Sequence, residues 1–285
     1  MRLGTVRRDG TVRRDGTTQA FRQEDGRTVY LPVPDVGALL AGGDLRLPGE
    51  PGPAPAPEDL ATPVLRPGKI LCAGLNFYDH AEEVGQEIPE HPTIFAKYAT
   101  ALIGPTDPIA MPEESEKIDW EAELTVVIGS PLRHATPDQA RAAIAGYTIM
   151  NDISVRDWQG RTSEWFQGKN FDRTTPVGPV VVTPDEIDPE AGLAIRCTVD
   201  GVRHQDSGTD RMIFSAVELV EYLSRFLTLE PGDLVACGTP AGVGLAQKPR
   251  RIWLRDGQEV VTEIEGIGEL RNVCTPAEDL RAAAG

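Results

Sequence analysis

Short apolar runs separated by Gly/Pro turn signals, with no regular alternation of strand and helix, are what most constrain the fold of this chain. Strand signals fall at 69–73, 124–128, 147–150, 180–182, 193–199, 234–236, 251–254 and 259–264. Helical signals are fewer, at about 76–86, 137–144, 154–158 and 215–227. A doubly wound sheet needs a helix after nearly every strand, so the pattern predicts an α+β, mixed-sheet domain instead. The chain's 285 residues allow one large domain plus a small appendage. Residues 28–40 read as a short strand and a short helix, and the Pro-rich run 48–57 as a stiff connector. A small N-terminal β-rich domain is therefore expected at 1–65 and the main domain at 66–285. The hexapeptide Val-Arg-Arg-Asp-Gly-Thr occurs at 6–11 and again at 12–17. Because Asp-Gly favours tight hairpin turns, the repeat reads as a local duplication that lengthens an N-terminal hairpin.

Charge narrows the partners. With 28 basic and 44 acidic side chains the net charge is −16, a surface that repels phosphate backbones, so no nucleic-acid partner is expected. An anionic substrate would need a local cation. Cys72, Cys197, Cys237 and Cys274 are far apart and read as reduced, buried thiols of a cytoplasmic protein. No apolar run is long enough to span a membrane. Arg7-Arg8 and Arg13-Arg14 are each followed by polar Asp-Gly-Thr, so no export signal is read there. Dinucleotide, Walker, zincin and nucleophile-elbow motifs are missing; Gly242-Val-Gly244-Leu-Ala-Gln247 fails at the third glycine.

The most informative stretch is Asp119-Trp-Glu121-Ala-Glu123, running into the apolar strand 124–128. Strand alternation puts Asp119, Glu121 and Glu123 on one face and Trp120, Ala122 and Leu124 on the other. Two like charges about 4 Å apart repel by roughly 4 kcal/mol at an effective dielectric near 20. A hard divalent cation removes that cost, and oxygen ligands favour Mg²⁺, Mn²⁺ or Ca²⁺ over zinc. The alternative is a solvated acidic edge. Asp152 ends the apolar strand 147–150 and could supply a third ligand or simply cap a turn, with Ser154 opening a short helix as a capping box.

Three further groups can carry acid–base or anion chemistry. His80 and Glu83 share a helix face, and a carboxylate beside an imidazole sets its tautomer and raises its basicity; an exposed pair is the alternative. Lys169 lies among turn residues, where it can hold an oxyanion or sit in solvent. The loop 238–244, with Thr239, can present backbone N–H groups to an anion or serve as an ordinary tight loop.

Together, Gly74–Glu83, Asp119–Glu123, Asn151-Asp152, Arg156-Asp-Trp-Gln159, Lys169–Asp172, Pro176–Pro179, Pro231-Gly-Asp and Gly238–Gly244 resemble the fumarylacetoacetate hydrolase family, in the family's order, over about residues 69–273. The resemblance implies a mixed β-sandwich roll of that family's C-terminal type, a homodimer, and one Mg²⁺ or Mn²⁺ per subunit. It implies Glu121, Glu123 and Asp152 as metal ligands, and His80 and Glu83 as a catalytic dyad on a segment that closes as a lid. It also implies Lys169 as an oxyanion contact, and Gln159 and Thr239 as substrate contacts. The implied activity is metal-dependent hydrolysis of a C–C bond in a 2,4-dioxo acid of acylpyruvate or fumarylpyruvate type, through an enolate held by the metal, giving pyruvate and a carboxylic acid. The shorter bacterial members also include 2-hydroxyhepta-2,4-diene-1,7-dioate isomerases and oxaloacetate decarboxylases, which supply the alternative for 2-oxo diacids. A non-catalytic metal-binding relative is the remote one.

Overall fold

Asp-Gly dipeptides turn this chain where antiparallel strands meet. Asp25 and Gly26 have φ of 50° and 72° and join Thr18–Glu24 to Arg27–Tyr30; Asp200 and Gly201, at 48° and 76°, join Ala194–Val199 to Val202–Gly208. Two successive left-handed residues match the twist of a hairpin, and Asp and Gly tolerate them best. The computed structural model describes residues 1–8 and 17–282. The duplicated hexapeptide's Asp-Gly turns, 9–10 and 15–16, lie outside the described residues. The strands flanking them pair antiparallel as a hairpin requires, Arg2–Arg7 on Thr18–Glu24, with Arg7 opposite Thr18.

The large sheet runs in the order Glu50–Gly52, Arg27–Tyr30, Thr18–Glu24, Arg2–Arg7, Thr175–Val182, Ile144–Asn151, Ala122–Ile128, Leu234–Ala236, Ile70–Gly74, Thr93–Lys97. Most pairs are antiparallel, but Leu234–Ala236 lies parallel to Ile70–Gly74, so the sheet is mixed, as expected. A second sheet has the order Val202–Gly208, Ala194–Val199, Glu259–Ile264, Gly268–Pro276, Ile109–Met111. The fold is α+β. The N-terminal strands reach the central strands through two pairs, Arg2 with Val182 and Leu3 with Val181.

Strand alternation decides which side chains fill which layer. Along Ala122–Ile128, Ala122, Leu124, Val126 and Ile128 join Ile149, Ile195, Cys197 and Val260 in the core between the two sheets. Val127 points the other way, into a cluster with Leu3, Val181 and Leu39 of helix Val36–Gly42. Every residue of this strand and of Ile144–Asn151 is buried, so each burial fixes register: a one-residue slip would swap the two faces.

Some expected elements differ. Residues 251–254 form no strand, because Ile252 N–H bonds Gly244 O and Leu254 N–H bonds Ile118 O, two separate segments that give no ladder. Ser154 does not cap a helix; Ser154–Val155 pairs with Ile118–Asp119, the Ser154 hydroxyl donates to Asp152 O, and the helix is Arg156–Gln159. The Pro-rich run holds a strand, Glu50–Gly52, paired with Arg27–Tyr30. The strand expected at 180–182 starts earlier, at Thr175, its prolines having masked the pattern. All four cysteines are free and buried, as expected.

Candidate active site

Three carboxylates are brought together by adjacent strands. Ala122 pairs with Asn151 across the Ala122–Ile128 and Ile144–Asn151 ladder, so Glu121 and Glu123 meet Asp152 just past the partner strand's end. Asp152 N–H donates to Glu121 O at 2.8 Å, and Asn151 Oδ1 accepts Glu121 N–H at 3.0 Å while its amide donates to Thr262 Oγ1 at 2.9 Å. Ligand atoms of Glu121, Glu123 and Asp152 lie within 4.8 Å of one another, and all three residues are buried. Buried like charges at such range require a cation.

Protein cations already lie beside them. Lys169 Nζ donates to Glu121 Oε2 at 2.5 Å and to Asp152 Oδ2 at 2.7 Å. Lys97 Nζ donates to Asp152 Oδ1 at 2.7 Å and to the carbonyl of Lys169. Arg156 Nη2 sits 2.7 Å from Glu121 Oε1 as an ion pair, while its Nε donates to Asp119 Oδ2 at 2.7 Å. Burial opposes ionisation of Glu121, but Lys169 and then Arg156 outweigh it and hold the carboxyl down to about 2. Burial, then the charges of Asp152 and Glu121, push the Glu123 carboxyl well above the usual carboxylate range. Burial works against the Lys169 charge, yet Asp152 and Glu121 raise its pKa and keep it an ammonium.

A carboxylate oxygen has two lone pairs, so those bonded to lysine can still accept a metal. The donor set is all hard oxygen, which fits Mg²⁺ or Mn²⁺ better than a softer ion. Glu121, Glu123 and Asp152 can thus hold a divalent metal.

Glu121, Glu123, Lys169, His80, Gln159 and Thr239 all line one cavity of about 560 Å³; Asp152 lies behind its wall. His80 comes from helix Tyr78–Val84, with Nδ1 3.1 Å from Glu83 Oε2, and Glu83 Oε1 accepts Gly242 N–H at 2.9 Å. Gln159 Oε1 accepts from Arg156 Nη1 at 2.9 Å, and Thr239 Oγ1 accepts from Gln205 at 2.8 Å.

The loop 238–244 does not offer its amides to a ligand in the way its glycines suggested. Gly238 N–H donates to Glu123 Oε2 at 2.9 Å, Gly242 N–H to Glu83, and Gly244 N–H to Asp119 Oδ1 at 2.7 Å. It is a cradle for the protein's own carboxylates. Gly238 has φ +88°, and a Cβ there would stand 2.8 Å from Asn76 Cβ.

Residues 69–275 match the model of the fumarylacetoacetate (FAA) hydrolase C-terminal family. The chain belongs to the fumarylacetoacetate hydrolase family. This family member is 43% identical over 211 residues to the Rattus norvegicus protein named oxaloacetate tautomerase Fahd2a, mitochondrial, covering 74% of this chain and 67% of the relative. The solved structure of fumarylacetoacetate hydrolase (EaFAH) from psychrophilic Exiguobacterium antarcticum matches with TM-score 0.85 at 30% identity, over 97% of this chain and 99% of that one. Fumarylpyruvate hydrolase from Pseudomonas aeruginosa, solved in complex with Mn²⁺ and pyruvate, matches with TM-score 0.67 at 33% identity, over 75% of this chain and 91% of that one.

Sequence reasoning missed the part of Lys97, buried at the end of the edge strand Thr93–Lys97, and gave Arg156 no role. Asp119 was grouped with the two glutamates but turns away from them to Arg156 and the Gly244 and Leu245 amides. A lysine ending a mostly apolar strand was the one available signal for Lys97.

Proposed function

We propose that this protein catalyses metal-dependent proton transfer at carbon 3 of a small 2-oxo acid, the keto–enol interconversion of a 2-oxo diacid being the first reading. One observation carries it: a single cavity is lined by the acidic pair Glu121 and Glu123, by Lys169 and by His80, whose Nδ1 lies 3.1 Å from Glu83 Oε2. The 43% identity to a protein named for oxaloacetate tautomerisation supports the same reaction class.

Glu121, Glu123 and Asp152 would hold Mg²⁺ or Mn²⁺. When bound, such an ion supplies Lewis-acid polarisation of the 2-oxo group and acidifies the neighbouring C–H. His80 moves the proton at carbon 3, with Glu83 fixing the imidazole tautomer and orientation. Lys169 uses two N–H groups on Glu121 and Asp152, and as an ammonium it keeps a third donor for a substrate oxygen. Arg156 and Gln159 border the same space and orient the bound acid.

The second reading is hydrolysis of the C3–C4 bond of a 2,4-dioxo acid. The Glu83 bridge between His80 and Gly242 N–H favours it, since a base held this firmly suits activation of water. The match to a fumarylpyruvate hydrolase points the same way. Here His80 takes a proton from water, the hydroxide adds to the 4-carbonyl and Lys169 holds the oxyanion; its collapse breaks the C3–C4 bond and releases the carboxylic acid, and carbon 3 takes the proton back from His80 to give pyruvate.

Two assays with Mg²⁺ or Mn²⁺ separate the readings. Decay of the oxaloacetate enol absorbance, with no loss of total oxaloacetate, supports the tautomerase. Release of pyruvate and acetate from acetylpyruvate supports the hydrolase. Glu121→Gln should abolish metal binding and activity together; an active variant with no bound metal refutes the ligand assignment.

A further inference from the structure

The catalytic helix Tyr78–Val84 carries two acids one turn apart, Asp79 and Glu83, and both reach the same wall. Glu83 accepts Gly242 N–H at 2.9 Å while holding His80. Asp79 Oδ2 accepts the Ser207 hydroxyl at 2.6 Å, and its Oδ1 lies 3.4 Å from the Ala241 amide. Ser207 belongs to Val202–Gly208, an edge strand of the second sheet, no residue of which lines the cavity. The helix root is separately tied down, with Asn76 bonded to Phe214 and to Cys237 O. The far end has no such root: Gly85 ends the helix in the left-handed conformation, and residues 85–88 are exposed.

We propose that Asp79 is a positioning residue: its bond to Ser207 latches the His80 helix onto the second sheet and so sets where the imidazole stands over the cavity. The proposal rests on His80 being the proton carrier. An i, i+4 pair of acids on one face would ordinarily repel, so their shared orientation is held by the donors opposite them. Asn76 fixes the root and Glu83 the last turn, which leaves the helix rotation about the line joining them; Asp79, held by Ser207 off that line, sets the rotation. Misplacing a catalytic base by about 1 Å can cost up to roughly a hundredfold in rate.

The test compares Asp79→Ala, Ser207→Ala, their double variant and Asp79→Asn with wild type. Each is measured for Mn²⁺ affinity, amide hydrogen exchange over residues 78–86, and kcat and KM with oxaloacetate enol and acetylpyruvate. The latch predicts faster exchange in both single alanine variants, Mn²⁺ affinity within about twofold of wild type, and a kcat loss of roughly tenfold or more with little change in KM. The double variant should lose no more than Asp79→Ala, since the bond that Ser207→Ala breaks is already gone in it. Asp79→Asn keeps an acceptor oxygen for Ser207 and should recover most of the rate. Unchanged exchange in both single variants, or additive losses in the double, overturns the latch. Exchange and Mn²⁺ binding are read without turnover. A wild type inactive on both substrates therefore refutes the proposed reaction while the exchange data still decide the latch.

Discussion

Lys97 and Lys169 are each only 2% exposed, and burial of an ammonium is tolerated only when it is paired. Both are paired with Asp152, one on each oxygen, and Lys169 also with Glu121. The two lysines thus fix how the acidic group is oriented before any metal arrives. Lys169→Met should lower kcat by about 10²–10³-fold, the usual loss for an oxyanion donor, while Mn²⁺ still binds; titration calorimetry beside steady-state kinetics checks both. Gly238 makes a different contribution. Its φ of +88° strains any side chain, and its amide holds Glu123. Gly238→Ala should cost about 1–3 kcal/mol of stability and weaken Mn²⁺ binding, read from denaturant unfolding and metal titration. Glu121 and Glu123 were legible because alternate acids leading into an apolar strand repel one another unless a cation sits among them. Lys97 was not, because its partner Asp152 is 55 positions away along the chain.

Among the elements, the strand pair Ala122–Ile128 and Ile144–Asn151 carries the site. Its apolar alternation was readable, and so were the residues at its acidic end. What joins the two acidic ends is Asn151, which accepts the Glu121 amide and donates to Thr262 of the second sheet. Asn151→Ala leaves two buried polar groups unpaired and should destabilise the fold by about 1–3 kcal/mol, with a lower thermal midpoint and weaker metal binding. Full retention of both would show that the strand ladder alone holds Glu121. The helix at Arg156–Gln159 shows where local rules failed. Ser154 had the spacing of a capping box, but a two-residue ladder with Ile118–Asp119 competed and won. Tertiary pairing overrode a local capping preference there, and the displaced helix start lets Arg156 reach both Asp119 and Glu121.

At the scale of the whole molecule, the described structure has no helix long and apolar enough to cross a membrane. The net charge of −16 surrounds a cavity lined by Lys169 and Arg156, so an anionic substrate would find its cations concentrated inside. A metal bound only by the folded state must stabilise that state. Chelation should therefore lower the thermal midpoint, and Mn²⁺ at about one hundred times its Kd should restore roughly 2.7 kcal/mol; an unchanged midpoint would argue against a site built by folding. The sequence by itself determined the mixed-sheet class, the acidic strand end, the His80–Glu83 pair and the family. Each of these depends on residues close together in the chain or on ordered motifs along it. Only the tertiary structure decided that Asp152 closes on the two glutamates, that Lys97 pairs with Asp152 and Arg156 with Glu121, and that the glycine loop serves the protein's own acids. Those outcomes depend on which strands pair and in what register, and burial of side chains from distant segments sets that register.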